Sequence, residues 1–128
     1  MGFVLMLHSI VRWAVAALAV VVSVKFALGW LRQMKFEKLD KGLAAGLLGA
    51  MDLQATLGLI LLVFGGFQPA YRIEHTVTMI VAVVVMHLQA RWKTAPDALR
   101  FRNTLFCVLG SFALIFAGIA SLPQGWFG

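Results

Sequence analysis

Three histidines lie in strongly apolar stretches of this chain, which is an unusual place for an imidazole. His8 lies in the first such stretch, and His75 and His87 stand near the two ends of a later one. Arg12 and Asp52 are further polar residues in apolar surroundings. Ionisable side chains are costly in hydrocarbon, so their presence there favours a functional site.

His8 and His75 are of the residue type that ligates a b-type haem. Its iron takes one imidazole nitrogen on each face of the macrocycle, and helical bundles hold such cofactors in their cores. His8 lies about ten residues before the centre of its predicted helix and His75 about eight, roughly 15 Å and 12 Å from the midplane on the same side. We therefore expect one haem b between these two axial ligands.

Two arginines could neutralise the propionates of that haem. Arg12 shares a helix face with His8 one turn away, and Arg72 lies just outside His75. Both could form charge-assisted hydrogen bonds with a carboxylate. Met79, one turn below His75, is expected to line the pocket and not to ligate. The alternative for each histidine, a hydrogen bond to water or to a lipid headgroup, remains open.

His87 requires a different explanation. It follows His75 by twelve residues, which places it roughly 120° away around a helix. Asp52 lies at a similar depth, and a hydrogen bond between Asp52 and His87 could be structural, relay protons or border a quinone site. The alternative is a second haem, with His87 and either Met51 or Cys107 as ligands, whereas we expect only one.

The composition indicates a membrane protein. Hydrophobic residues make up 62% of the 128 residues and charged residues only 12%, against roughly 45–50% and about 25% in soluble domains. A helix needs about 20 apolar residues to cross the hydrocarbon core. We therefore predict one integral membrane domain over 1–128, all-α, with transmembrane helices at about 4–31, 42–66, 73–93 and 101–122.

The predicted helices should form an up-down-up-down bundle, because short connections make consecutive helices antiparallel neighbours. Helices 1 and 3 are then diagonal, so that His8 and His75 face each other across the core. Lys25 is expected to extend toward the membrane surface, and Asp40 to cap helix 2. The N-terminal stretch lacks the basic region of a cleavable signal peptide, so we interpret it as a retained span.

The formal net charge of +6 is best explained by membrane topology and not by nucleic-acid binding. Basic loops stay on the cytoplasmic side, so we expect a multi-pass protein of the bacterial inner membrane with both termini exterior. The opposite connection carries Arg72. The basic residues fall in the two connections on one side, at Arg32, Lys35, Lys38, Lys41, Arg91, Lys93, Arg100 and Arg102.

Several short motifs occur in an order similar to that in a known family. They include L-H-S-I-V-R-W at 7–13, F-E-K-L-D-K at 36–41, L-Q-A-T-L-G-L-I-L at 53–61 and R-I-E-H-T-V-T-M at 72–79. The chain resembles the small four-helix membrane proteins of bacteria labelled cytochrome b-like. The resemblance implies b-type haem and electron transfer.

The resemblance also matches individual positions. His8, Arg12 and His75 correspond to the family's histidines in helices 1 and 3 and to its arginine. The chain departs from the family at Asp52, where the family pattern is Ala-His-x-Gln and this sequence reads M-D-L-Q at 51–54. If that histidine ligates a haem on the cytoplasmic side, this chain lacks the ligand.

Three functions remain to be compared. The first is a haem b electron-transfer subunit of a larger respiratory or photosynthetic complex, with a quinone or a periplasmic carrier as its partner, and not an independent enzyme. The second is a cofactor-free accessory subunit that packs against other membrane subunits. The third is a small proton-conducting element that uses Asp52 and His87. Small-residue faces would serve the second function, at Gly42, Gly46 and Ala50 and at Gly110, Ala113, Ala117 and Ser121.

Overall fold

The computed structural model describes residues 2–126, and four long helices account for most of that range. No strand occurs within these residues, so the predicted all-α four-helix bundle is confirmed. Residues 1, 127 and 128 of the expected domain lie outside the described part. The helices are α1 (Gly2–Leu31), α2 (Lys38–Gly65), α3 (Tyr71–His87), which a 3₁₀ turn continues over Leu88–Trp92, and α4 (Asp97–Ala120).

All four helices are long and apolar enough to cross a membrane. Their most apolar windows have a mean hydropathy between 1.5 and 2.1, with α3 and its 3₁₀ continuation the least apolar. A span needs about 20 predominantly apolar residues, and each helix meets that requirement. The chain therefore has the character of a multi-pass membrane protein.

The helices pack in a ring. α1 contacts α2 and α4, and α3 contacts α4 and, less extensively, α2. α1 and α3 are therefore diagonal, as predicted. We call the end that carries loops 32–37 and 93–96 the basic end, and the end where α1 begins and α4 ends the cavity end.

The basic end is tightly packed around three phenylalanines. The ring centroids of Phe26 lie 5.4 Å from those of Phe36 and Phe101, and Phe36 and Phe101 are 4.8 Å apart. Gly29 permits this packing, because a Cβ there would lie 2.6 Å from the ring of Phe101. Edge-to-face and tilted aromatic contacts of this kind stabilise a core beyond their buried area.

The start of α2 differs from the prediction. The helix begins at Lys38, so Asp40 lies within its first turn and does not cap it from outside. The backbone N–H of Glu37 donates to Asp40 Oδ2 at 2.9 Å, and Lys25 Nζ donates to Asp40 Oδ1 at 2.6 Å. Lys25 thus forms an ion pair with a buried carboxylate, whereas the sequence predicted that it would extend toward the surface. The anion also suits the positive end of the helix dipole.

Candidate functional site

A cavity of about 460 Å³ lies between the diagonal helices α1 and α3. His8 and Arg12 of α1 and Arg72 and His75 of α3 all line it. Small-molecule and cofactor sites typically measure roughly 300–1,000 Å³, so the volume suits such a ligand. The structure thus brings together the four side chains that the sequence singled out, although they lie on two helices far apart in the chain.

Most of the remaining wall of the cavity is apolar, and it is contributed by all four helices. At the cavity end the lining includes Gly2 at the start of α1 and Leu122 and Gln124, which follow the last turn of α4. An apolar wall with a few convergent polar groups is typical of binding sites. Further lining side chains are those of Val15, Met51, Leu62, Met79, Val83 and Ile115.

The ring of His75 is held by the backbone of α4. Its Nδ1 lies 3.2 Å from the carbonyl oxygen of Gly118. A carbonyl oxygen can only accept, so Nδ1 carries the proton in this contact and Nε2 keeps its lone pair. Metal-ligating histidines commonly donate their other ring N–H to a backbone carbonyl in this way. The contact therefore leaves Nε2 of His75 as the nitrogen able to bind a metal.

Gly118 allows α3 to approach α4 closely at this depth. A Cβ on Gly118 would lie 2.5 Å from Met79 Cε and 3.2 Å from Thr78 Cγ2. A side chain here would require Met79 to move and Thr78 to shift by a few tenths of an ångström, next to the contact between His75 and the Gly118 carbonyl. Gly118 thus helps to position His75, because its lack of a side chain lets α3 and α4 pack closely.

His8 is held mainly by α2. Gln54 Nε2 donates to the backbone carbonyl of His8 at 2.8 Å, and Gly58, one turn further along α2, faces the His8 ring. A Cβ on Gly58 would lie 3.3 Å from His8 Cε1. The His8 Nδ1 and Gln54 Oε1 atoms are buried without a hydrogen-bond partner among residues 2–126. Buried polar atoms without a partner are costly. A polar group of a bound ligand could therefore stabilise this wall of the cavity by contacting them.

The two arginines differ in how far their hydrogen bonds are satisfied. Arg72 Nη2 donates to the carbonyl oxygen of Leu61 at 2.9 Å and lies against Gly65, where a Cβ would come within 2.7 Å of it. Arg12 Nε is buried and has no partner in the described part of the chain. A buried N–H without an acceptor is unfavourable, so this edge of Arg12 suits an anion in the cavity.

Asp52 and His87 form the predicted hydrogen bond, outside the cavity. His87 Nε2 lies 2.9 Å from Asp52 Oδ1, and the two side chains are 51% and 47% exposed. Neither residue lines the cavity, whereas Met51 does. Cys107 is buried in α4. The pair thus faces outward between α2 and α3, which the sequence could not show because both faces of these helices are apolar.

Two contributors to the site were not assigned a role from the sequence. Gln54 was recognisable as a rare polar residue in an apolar stretch, but its contact with His8 was not. Gly118 acts through its backbone carbonyl, for which a sequence carries no signal. Within residues 2–126, no three His, Cys, Asp or Glu side chains cluster to hold a metal ion. Ligation of a haem iron by two imidazoles would not produce such a cluster.

Comparisons with known proteins found no match for this chain. No family model matches it, and neither does any curated protein or solved structure.

Proposed function

We propose that this chain is a b-type haem-binding membrane subunit for electron transfer, within a larger respiratory or photosynthetic complex of a bacterial inner membrane. The observation that carries the proposal is that His8 and His75 line one cavity from diagonal helices. Two imidazoles on opposite sides of an apolar cavity are the arrangement that axial ligation of a haem requires. The motifs similar to the cytochrome b-like proteins support the same function.

The ligating residues are positioned in different ways. The Gly118 carbonyl fixes the ring orientation of His75 and directs Nε2 away from itself. His8 is placed by its helix, whose carbonyl at that position is held by Gln54. A ring contact such as that of His75 raises the basicity of a ligating imidazole and fixes its orientation, whereas the contact of Gln54 restrains only the backbone at His8. His75 would supply Nε2 to the iron, and His8 would supply the second imidazole.

The arginines supply the charge that the propionates need. Arg12 lies one turn further along α1 than His8, and its buried Nε lacks an acceptor. A propionate carboxylate would satisfy this atom through a charge-assisted hydrogen bond. Arg72 stands at the start of α3, one turn before His75, where it would meet the second propionate.

When bound, a haem b supplies a one-electron Fe(III)/Fe(II) couple. The chain would hold that couple in a mainly apolar cavity, with His8 and His75 as ligands of the iron and Arg12 and Arg72 as partners of the propionates. We therefore propose an electron carrier and not an independent enzyme. A quinone or a periplasmic electron carrier would be the exchange partner, and other membrane subunits would cover the bundle.

The visible spectrum of the purified protein tests the proposal directly. Protein produced with haem supplied during growth should show a Soret band and a reduced-minus-oxidised α-band difference. The haem content should approach one per chain, since one cavity holds both ligands. A colourless preparation would contradict the proposal and favour a cofactor-free accessory subunit.

Filling the cavity from α2 should exclude the haem without changing either ligand. In Gly58→Leu, the new side chain starts 3.3 Å from the His8 ring and extends into the cavity that Gly58 lines. We expect the haem content to fall by about fivefold to a hundredfold, because overpacking a site costs about 1–3 kcal/mol. The measurement is the haem-to-protein ratio after purification.

Gly110→Leu is the matched control. Gly110 is exposed on α4, and a Cβ there would have Val85 Cγ1 at an ordinary 3.6 Å as its nearest neighbour. This variant should keep its haem. Equal haem contents in both leucine variants would show that the cofactor lies elsewhere.

The proposed topology places the basic end in the cytoplasm. Loop 32–37 exposes Arg32 and Lys35, so trypsin should cleave it in inverted membrane vesicles. In intact spheroplasts the same loop should resist cleavage, because basic loops remain on the inner side. Mass spectrometry of the fragments measures the cleavage. Efficient cleavage at Lys35 from the outside would show that the orientation is opposite to the one proposed.

A further inference from the structure

The Asp52–His87 pair lies on the outside of the bundle at membrane depth. Asp52 is at the middle of α2, about 20 Å from either end of the helix at 1.5 Å per residue. About half of each side chain is exposed, and the two are joined by a hydrogen bond of 2.9 Å. The pair therefore faces the space that lipid or another protein would occupy.

Ionisable residues in membrane spans almost always face a bundle interior or an aqueous cavity. The Asp52–His87 pair faces neither the bundle interior nor a cavity, because it lies outside the cavity that His8 and His75 line. Hydrocarbon offers no hydrogen-bond partner, so an exposed carboxylate and imidazole are costly there. Their outward position is explained if a polar group of another molecule covers them.

The surface beside Asp52 permits close approach of another helix. Ala45, Gly49 and Thr56 lie on the same side of α2 as Asp52, at seven and three residues before it and four after it, and all three are exposed. A Cβ on Gly49 would meet no atom within 4 Å. Small residues allow helices to approach in lipid, and polar side chains then bond across the contact. We call these four residues the outer strip.

We propose that the outer strip and His87 form an interface between two copies of this chain. The hydrogen bond within the pair uses Asp52 Oδ1 and His87 Nε2. Hydrocarbon favours a pair that is neutral overall. Such a pair leaves His87 Nδ1–H as a donor and Asp52 Oδ2 as an acceptor. Neither of these two atoms has a partner elsewhere in residues 2–126.

A second copy supplies the complementary groups at the correct depth. Two copies inserted in the same orientation can be related by a two-fold axis along the membrane normal, which leaves the depth of every residue unchanged. The donor on one copy then meets the acceptor on the other, and the contact occurs twice. A different helix would need its own donor and acceptor at this height. The interface does not depend on haem.

Cysteine cross-linking in membranes tests the interface. Gly49→Cys in a Cys107→Ala background should form a disulfide-linked dimer on mild oxidation. Val20→Cys in the same background is the control, because Val20 is 57% exposed on α1 at a matching distance from the basic end. The control should remain monomeric.

The polar pair is tested by a second measurement, energy transfer between labelled copies in liposomes of increasing dilution. Asp52→Leu and His87→Leu should each raise the apparent dimer dissociation constant about tenfold or more, because each removes a bond that occurs twice. Leucine suits lipid, so insertion should persist, and gel filtration in detergent confirms that the variants remain folded.

Several results would overturn the proposal. These are a monomer at every dilution, cross-linking of Val20→Cys as efficient as that of Gly49→Cys, and a dimer insensitive to both leucine substitutions. Cross-linking of Gly49→Cys in native membranes to a different protein, with no homodimer, would assign the surface to another subunit. Haem content should be unchanged by Asp52→Leu, so this test and the test of the haem site can fail independently.

Discussion

Alanine at His8 or at His75 is expected to abolish the haem spectrum of the purified protein. Each substitution would remove one of the two imidazoles that are proposed to bind the haem iron. The haem-to-protein ratio should fall at least about tenfold in each single variant, as expected for the loss of a metal ligand. Both proteins should still insert, since a helix with one histidine fewer is more apolar than before.

His87→Ala is the matched control for these variants. His87 is also an imidazole in a predicted span, but it lies outside the cavity and bonds to Asp52. Its replacement should leave the Soret band intact. Loss of the spectrum in His87→Ala, or its retention in both His8→Ala and His75→Ala, would show that the ligands are assigned wrongly.

Methionine at Lys25 is expected to destabilise the basic end. Asp40 is 1% exposed, and Lys25 Nζ is its partner at 2.6 Å. Removing one member of a fully buried ion pair costs about 3–5 kcal/mol. The Lys25 side chain is 28% exposed, so solvent or headgroups would compensate in part, and we expect a loss of about 2–3 kcal/mol.

The loss can be measured by titrating the protein from mild detergent into dodecyl sulfate and following tryptophan fluorescence. Lys35→Met is the control, because Lys35 is exposed in the adjoining loop, and it should change the free energy of unfolding by less than about 0.5 kcal/mol. Adding Asp40→Asn to Lys25→Met should recover part of the loss, since no carboxylate is then left buried alone. Equal stability of Lys25→Met and Lys35→Met would contradict the role of the pair.

Hydropathy predicted the four helices, but it missed the polar residues at their ends. α2 begins at Lys38 and not at 42, because Glu37 and Asp40 bond at its first turn. α4 begins at Asp97 and not at 101, directly after Pro96. Asp40 and Asp97 are polar and fall outside an apolar window, although acidic residues are favoured in a first helical turn. Helix ends therefore required capping chemistry in addition to hydropathy.

The sequence predicted how deep the candidate site residues lie along their helices, but not which way each residue faces around its helix. His8 and His75 could be placed at similar heights by counting residues, and the ring of helices then made them diagonal. Which way Asp52 faces could not be predicted, since a membrane helix is apolar on its lipid side as well as on its core side. The contact of His75 with the Gly118 carbonyl depends on backbone atoms that every residue possesses.

The basic end of the bundle is tightly packed and the cavity end is not, which restricts how a ligand could reach the cavity. Passage from the basic end would require Phe101 to leave its place against Gly29 and the neighbouring phenylalanine rings to separate. The opposite mouth is bordered by Gly2 at the start of α1 and by Leu122 and Gln124 in the turn that follows α4. With the orientation proposed above, a cofactor acquired after membrane insertion would have to be delivered from the periplasmic face.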